Sequence, residues 1–160
     1  MDMDIRIETL EPVDGVAVLR TGPYRESAPE AWAALWTWIG EQGHGERVRR
    51  AIGYGIDDPA KTPATNLRYE ACIDLGGDVD GDDDSGIARR RLAGGRHAVY
   101  TLLGPYRQIG EAFVRMHQRV ASEPGMDVDY TRPFIELYDL HEPGTPESDF
   151  VTHLCIPISG

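Results

Sequence analysis

The segment Phe134-Ile135-Glu136-Leu137-Tyr138 combines the residue types best suited to chemistry in this sequence. Read as a strand, its alternation puts Phe134, Glu136 and Tyr138 on one face and Ile135 and Leu137 on the other. A carboxylate flanked by two aromatics is partly desolvated once that face is covered. It must then find a cation, a hydrogen bond or a proton. Such a group can attract a cationic ligand or serve as a base. The bland alternative is an edge strand whose Glu136 faces water. Other chemistries are poorly represented. His44, His97, His117, His141 and His153 form no close ligand pair, and Cys72 and Cys155 have no partner at metal-site spacing. No Gly-x-Ser-x-Gly elbow or phosphate loop is present. The sequence thus predicts no metal site and names no cofactor.

The elements that must position Glu136 come in two sets. Residues 16–25 read VAVLRTGPYR and residues 98–107 read AVYTLLGPYR, with Gly22 and Gly104 separated by 82 positions. Arg50-Ala51-Ile52 and Arg132-Pro133-Phe134 share that offset, and Cys72-Ile73 lies 83 positions before Cys155-Ile156. Recurrent matches at one offset argue for an internal duplication. Each half reads β-β-α-β-β. In the first, Ile5–Leu10 and Val16–Thr21 are strands separated by a turn at 11–15. The helix is expected to start at Ser27-Ala28-Pro29-Glu30, a capping-box spacing. Trp32, Leu35, Trp36 and Ile39 form its apolar stripe, with Trp38 off it, and Gly40 and Gly43 stop it. Strands at 52–56 and 67–75 follow. The second half repeats the plan, with strands at 87–92 and 97–103, a stripe of Ile109, Phe113, Met116 and Val120, and strands at 134–140 and 150–158.

The fold class expected is α+β: duplicated halves related by a pseudo-twofold, an antiparallel sheet with two helices on one face, and a central ligand cleft. The chain reads as one domain, 1–160, with repeats at about 4–76 and 86–158 and an acidic linker at about 77–85. At an offset of 82, Glu136 falls on Tyr54, so the two would approach the cleft from opposite sides. Trp32, Trp36 and Phe113 read as core residues beneath the sheet or as cleft lining. Tyr24 and Tyr106, in the paired Gly-Pro-Tyr turns, read as turn packing with hydrogen-bonded phenols.

The linker carries acids at 74, 78, 80, 82, 83 and 84. It fails as a calcium loop in both registers: from Asp78 the sixth and twelfth positions are Asp83 and Arg89, and from Asp80 they are Ser85 and Arg91. A solvated linker is expected instead. The formal charge of −11 and pI near 4.8 oppose binding to phosphate backbones. No long apolar run or signal sequence is apparent, and a cytoplasmic location is expected.

Several motifs, in order, resemble the GyrI-like small-molecule-binding family, also known as the effector-binding domain of AraC-type and MerR-type multidrug regulators. They are Gly-Pro-Tyr after a strand, Asp57-Asp58-Pro59, Leu67-Arg68-Tyr69-Glu70-Ala71, Arg132-Pro133 through Tyr138, and Ile156-Pro157-Ile158. The resemblance covers roughly residues 4–158. It implies a cleft between the repeats for bulky, often cationic and aromatic compounds, and its cleft glutamate maps onto Glu136. No helix-turn-helix precedes the first strand, so no direct DNA binding is expected of this chain.

Three readings follow. The first is a stand-alone binding module for hydrophobic, cationic or aromatic small molecules, with Glu136 as central carboxylate. Tyr54, Tyr138, Phe134, Trp32, Trp36 and Tyr106 would supply its apolar surface. The second is a hydrolase of reactive, cyclopropane-type electrophiles, which the resemblance implies for some members. Glu136 would be its base and Tyr54 a helper. The third, also implied by the resemblance, is an inhibitor protein that partners DNA gyrase.

Overall fold

The computed structural model describes residues 3–160, which divide into two compact units. One unit is the continuous stretch Pro12–Leu92; the other combines the described residues up to Glu11 with Ala93–Gly160. We call them the central and the outer unit. The strands are β1 (Ile5–Leu10), β2 (Val13–Thr21), β3 (Arg50–Gly55), β4 (Arg68–Asp74), β5 (Ala88–Leu92), β6 (Gly95–Leu103), β7 (Ile135–Tyr138) and β8 (Val151–Pro157). The helices α1 (Tyr24–Glu41) and α2 (Ile109–Ser122) complete an α+β fold.

In the central unit the strand order is β3-β4-β2-β5, all antiparallel. In the outer unit it is β7-β8-β6-β1, again antiparallel. The two orders correspond, except that each unit takes its last strand from the other half of the sequence. β1 does not pair with β2, which follows it. It pairs with β6, Ile5 opposite Tyr100 and Leu10 opposite Gly95. β5 likewise pairs back with β2. Turn residues at 11–15 and 93–95 therefore mark crossings between units and not hairpins.

Each sheet buries one face under its own helix. In the central unit Val16, Val18, Tyr69, Ala71 and Ile73 pack with Ala31, Leu35 and Ile39 of α1. In the outer unit Ala98, Leu102, Leu154 and Ile156 pack with Ile109, Ala112, Met116 and Val120 of α2. The expected α2 stripe is thus present, with Phe113 at its margin.

α1 differs from expectation at its start and on its face. It begins at Tyr24, because Gly22 (φ 138°) and Pro23 turn the chain directly out of β2, and Ser27 N–H already bonds the Pro23 carbonyl at 2.9 Å. Ser27 is a buried helix residue and not the cap. The seam against the sheet is Ser27, Ala31, Leu35, Trp38 and Ile39. Small side chains at 27 and 31 let the helix approach the strands. Trp38 is consequently buried at 7% exposure, and Trp36 is 37% exposed. The expected roles of these two tryptophans are exchanged.

The two Gly-Pro-Tyr turns have the same build. Gly22 N–H bonds the Leu67 carbonyl just before β4 at 2.7 Å, and Gly104 N–H bonds the Phe150 carbonyl just before β8 at 2.8 Å. Gly104 has φ 137°, a conformation that side chains disfavour. The acidic stretch is more ordered than a solvated linker. Val79 and Ile87 are buried in the central core, and Asp82 bridges to Ile87. Asp78–Asp84, with Trp38, Gln42 and His44, line a cavity of about 620 Å³.

Candidate functional site

In the outer unit, β7 pairs with β8 so that Glu136 faces Leu154 and Tyr138 faces Thr152. Leu154 belongs to the core beneath α2, which puts Glu136 and Tyr138 on the α2 side of the sheet. Glu136 is half-buried, and the Tyr138 phenol donates a hydrogen bond to its carboxylate. Aromatic rings continue outward from that phenol. Tyr106 meets Tyr138 edge-on with centroids 5.1 Å apart, and stacks on Phe150 at 4.7 Å. His141 stacks on the other ring neighbour, Phe150, at 4.2 Å. Burial, reinforced by the charge of Asp139, pushes the Tyr106 phenol up from its ordinary value. It stays protonated and can donate. Thr152, opposite Tyr138, is fully buried with no hydrogen-bond partner for its hydroxyl.

Phe134 packs within a separate ring group: Phe113 at 6.3 Å, Tyr130 at 6.2 Å and His117 at 5.4 Å. It supports the α2 core on the approach to β7.

The central unit places its expected site residues on two different faces. On the α1 side, Trp32 donates from Nε1 to the Tyr69 hydroxyl at 2.9 Å and stacks on Trp36 at 6.4 Å. Tyr24 meets Tyr69 edge-on at 6.1 Å, and its phenol donates to the Asp57 carbonyl at 2.5 Å. The Tyr24 ring lies so close to Gly55 that a Cβ there would fall 2.7 Å from it, which accounts for glycine at that position.

Tyr54 lies on the opposite face. It pairs with Glu70, and the phenol donates to that carboxylate. Arg90 of β5 clamps Glu70 with two bonds of 2.7 and 2.9 Å. Burial, with the adjoining Glu70 carboxylate, pushes the Tyr54 phenol well above its ordinary range. Asp74, on the same face, is clamped by Arg50 at 2.7 and 2.9 Å. The ladder explains the placement. Cys72 pairs with Ile52 and Cys155 pairs with Ile135, so the local offset is 83 and Glu136 corresponds to Gly53. A one-residue change of offset moves a strand side chain to the other face.

Phe150, His141 and Tyr69 are the ring residues that the sequence reading left out of the site. Tyr69 was legible from alternation, since it shares a face with Ala71 and Ile73. His141 and Phe150 flank a polar loop and carry no periodic signal. Both cysteines are fully buried and free, and burial pushes each thiol up to about 12. Among the described residues no group of three His, Cys, Asp or Glu is arranged to hold a metal ion. No helix there is long and apolar enough to cross a membrane.

The sequence profile of the GyrI-like small molecule binding domain matches residues 3–159, and the chain belongs to that family. Solved structures share the fold. The EcmrR C-terminal domain is 12% identical with a TM-score of 0.74, covering 99% of each chain. SAV2435 bound to tetraphenylphosphonium is 17% identical with a TM-score of 0.60, covering 99% of this chain and 95% of the other. A hydrolase from Listeria innocua is 15% identical with a TM-score of 0.64, covering 99% and 93%. No curated protein sequence matches the chain.

Proposed function

We propose that this domain binds hydrophobic cations at the α2 side of β7, with Glu136 supplying the counter-charge. The supporting observation is the half-buried Glu136 carboxylate held by the Tyr138 phenol beside the Tyr106–Phe150–His141 stack. A carboxylate in such surroundings attracts a cation more strongly than one in water, and the ring faces add cation–π attraction. The fold shared with SAV2435, which binds tetraphenylphosphonium, points to the same ligand chemistry. In this reading Tyr54 holds Glu70, and the two halves of the sequence are copies of one β-β-α-β-β plan. Trp32 and Trp36 are proposed as further ligand-contacting rings of the central unit.

The test is calorimetric titration with tetraphenylphosphonium and with uncharged triphenylphosphine oxide. Glu136→Gln removes a charge-assisted contact of about 1.5–3 kcal/mol, which is about tenfold to more than a hundredfold in affinity for the cation. The neutral compound should lose much less. Equal losses for both would show that the substitution disturbs the site and not the pairing.

A second reading, hydrolysis of a strained electrophile, is favoured by the Tyr138–Glu136 hydrogen bond, which sets a phenol donor beside a carboxylate base. Multiple turnovers of a cyclopropane-bearing alkylating compound, abolished in Glu136→Gln, would establish it over simple binding.

A further inference from the structure

On the face of the outer sheet turned away from α2, four side chains form one directed chain of hydrogen bonds. Thr101 of β6 and His153 of β8 are direct cross-strand partners. Thr101 Oγ1 and His153 Nδ1 are 2.9 Å apart, and His153 Nε2 lies 2.9 Å from Asp139 Oδ1. Arg6 of β1 donates from Nη1 to Thr101 Oγ1 at 3.0 Å.

With His153 neutral, the donor inventory sets the direction of every bond. An ionised carboxylate only accepts, so Nε2 carries the imidazole proton. Nδ1 is then the acceptor, and the threonine O–H must donate to it. A guanidinium only donates, so Arg6 takes the remaining lone-pair side of the threonine oxygen. Thr101 therefore has a base on its proton and a cation beside its oxygen. Asp139 holds the ring in the tautomer this requires.

We propose that Thr101, His153 and Asp139 form a nucleophile site that accepts the acyl group of small, uncharged activated esters. A triad is defined by geometry and roles and not by sequence position, and either ring nitrogen can serve as the base. Thr101 and His153 are the catalytic residues, and Asp139 is a positioning residue. The site is open: the His153 side chain is 21% exposed and Asp139 56%. Asp139 flanks it with negative charge, which disfavours anionic acyl donors, while Glu8 of β1 is paired with Arg6. His97 and Cys155 share the face by register, but both are buried, and the Cys155 thiol is pushed up to about 12, so it does not compete.

In the acylation step the Thr101 oxygen forms a bond to the ester carbonyl carbon as its proton passes to His153 Nδ1. The carbonyl electrons move to the oxygen, which the Arg6 guanidinium stabilises. The intermediate collapses, the ester C–O bond breaks, and the leaving phenol oxygen recovers the proton from Nδ1. Water attacks the acyl-threonine by the same route, releasing the carboxylic acid and restoring Thr101.

The experiment incubates the full chain with 4-nitrophenyl acetate, follows nitrophenol release and maps the acetylated peptide by mass spectrometry. One acetyl group is expected on Thr101, absent in Thr101→Val and retained in Thr101→Ser. His153→Asn should slow acylation by about a hundredfold or more, the usual range for loss of a general base. Asp139→Asn should slow it too, with partial recovery in Asp139→Glu, whereas a purely structural role predicts no such recovery. Circular dichroism confirms that each variant is folded. Acetylation confined to Lys61 or the chain's amino group, or release unchanged in folded Thr101→Val, would overturn the proposal.

Discussion

The two units bury polar groups of different kinds. Within the central unit the buried polar side chains are Ser27, Glu70 and Asp74, and within the outer unit they are His97 and Thr152. Both central carboxylates are clamped by arginines, Asp74 by Arg50 of the adjacent β3 and Glu70 by Arg90 reaching across β2 from β5. Glu136 of the outer unit, by contrast, is half-buried and held by a phenol among rings. Glu70 and Glu136 both accept a tyrosine hydroxyl, yet only one sits on the helix side of its sheet. A carboxylate bound on both oxygens by a guanidinium is spent on structure. In the proposed reading Glu136, which the Tyr138 phenol bonds at a partly open surface, serves a ligand instead. Alike in type, the two glutamates differ in the face of the sheet they occupy.

The largest effect expected is from breaking the Glu70 clamp. Arg90→Met leaves a carboxylate with 4% of its side chain exposed to lose its guanidinium, and removing one partner of a buried pair is costly. Because Arg90 itself is 40% exposed, the loss is about 2–3 kcal/mol, seen as a melting temperature lower by roughly 5–10 °C. Glu136→Gln makes the contrasting case. It should leave the unfolding free energy within about 0.5 kcal/mol of wild type while weakening cation binding. If both glutamates prove equally important for stability, the distinction between them fails.

Tyr54→Phe should cost about 1–2 kcal/mol, the value of a buried hydrogen bond to a charged group. Affinity for tetraphenylphosphonium should stay at the wild-type level, because the Tyr54 phenol is engaged with Glu70. A loss of affinity without loss of stability would restore Tyr54 to the ligand site.

The smallest effect concerns pH. Burial holds the His97 imidazole below its ordinary value, Arg132 adds to this, and a bond to the Gly95 carbonyl opposes it. The unfolded chain then binds a proton that the folded one refuses. The contribution is fully present above the unfolded value near 6.5. It is lost as pH falls from there toward the depressed folded value. Melting temperatures compared at about pH 7.5 and about pH 5 should fall for wild type, and fall less for His97→Gln. An equal fall in both would place the acid sensitivity elsewhere.

Much of this architecture was legible because alternation and helical spacing report burial directly. All eight strands and both helices lie where the patterns put them, within a few residues. The pairing of β1 and β5 was not legible. A turn sequence such as Glu11 to Gly15 says where the chain bends and not which strand it meets next. Site residues divided along similar lines. Glu136 and Tyr138 share a face because they are two apart on one strand. The face of Tyr54 was not legible because an offset measured at Gly22 and Gly104 changes by one before β3. The tryptophans of α1 were misjudged because hydrophobicity favoured Trp36, while the actual seam is set by Ser27 and Ala31, whose small size no hydrophobic pattern detects.

The exchanged end strands bear on how the chain emerges from the ribosome. The central unit is one uninterrupted stretch and can close as soon as Leu92 has cleared the exit tunnel. β1 is made first, yet its partner β6 begins only at Gly95. At about 5–20 residues per second, β1 waits roughly 5–20 s for the strand it must join. During that interval its backbone edge is open on both sides, a state prone to mispairing. Arg6, Glu8 and Thr9, interleaved with Ile5, Ile7 and Leu10, suit a strand that must stay soluble until its sheet exists.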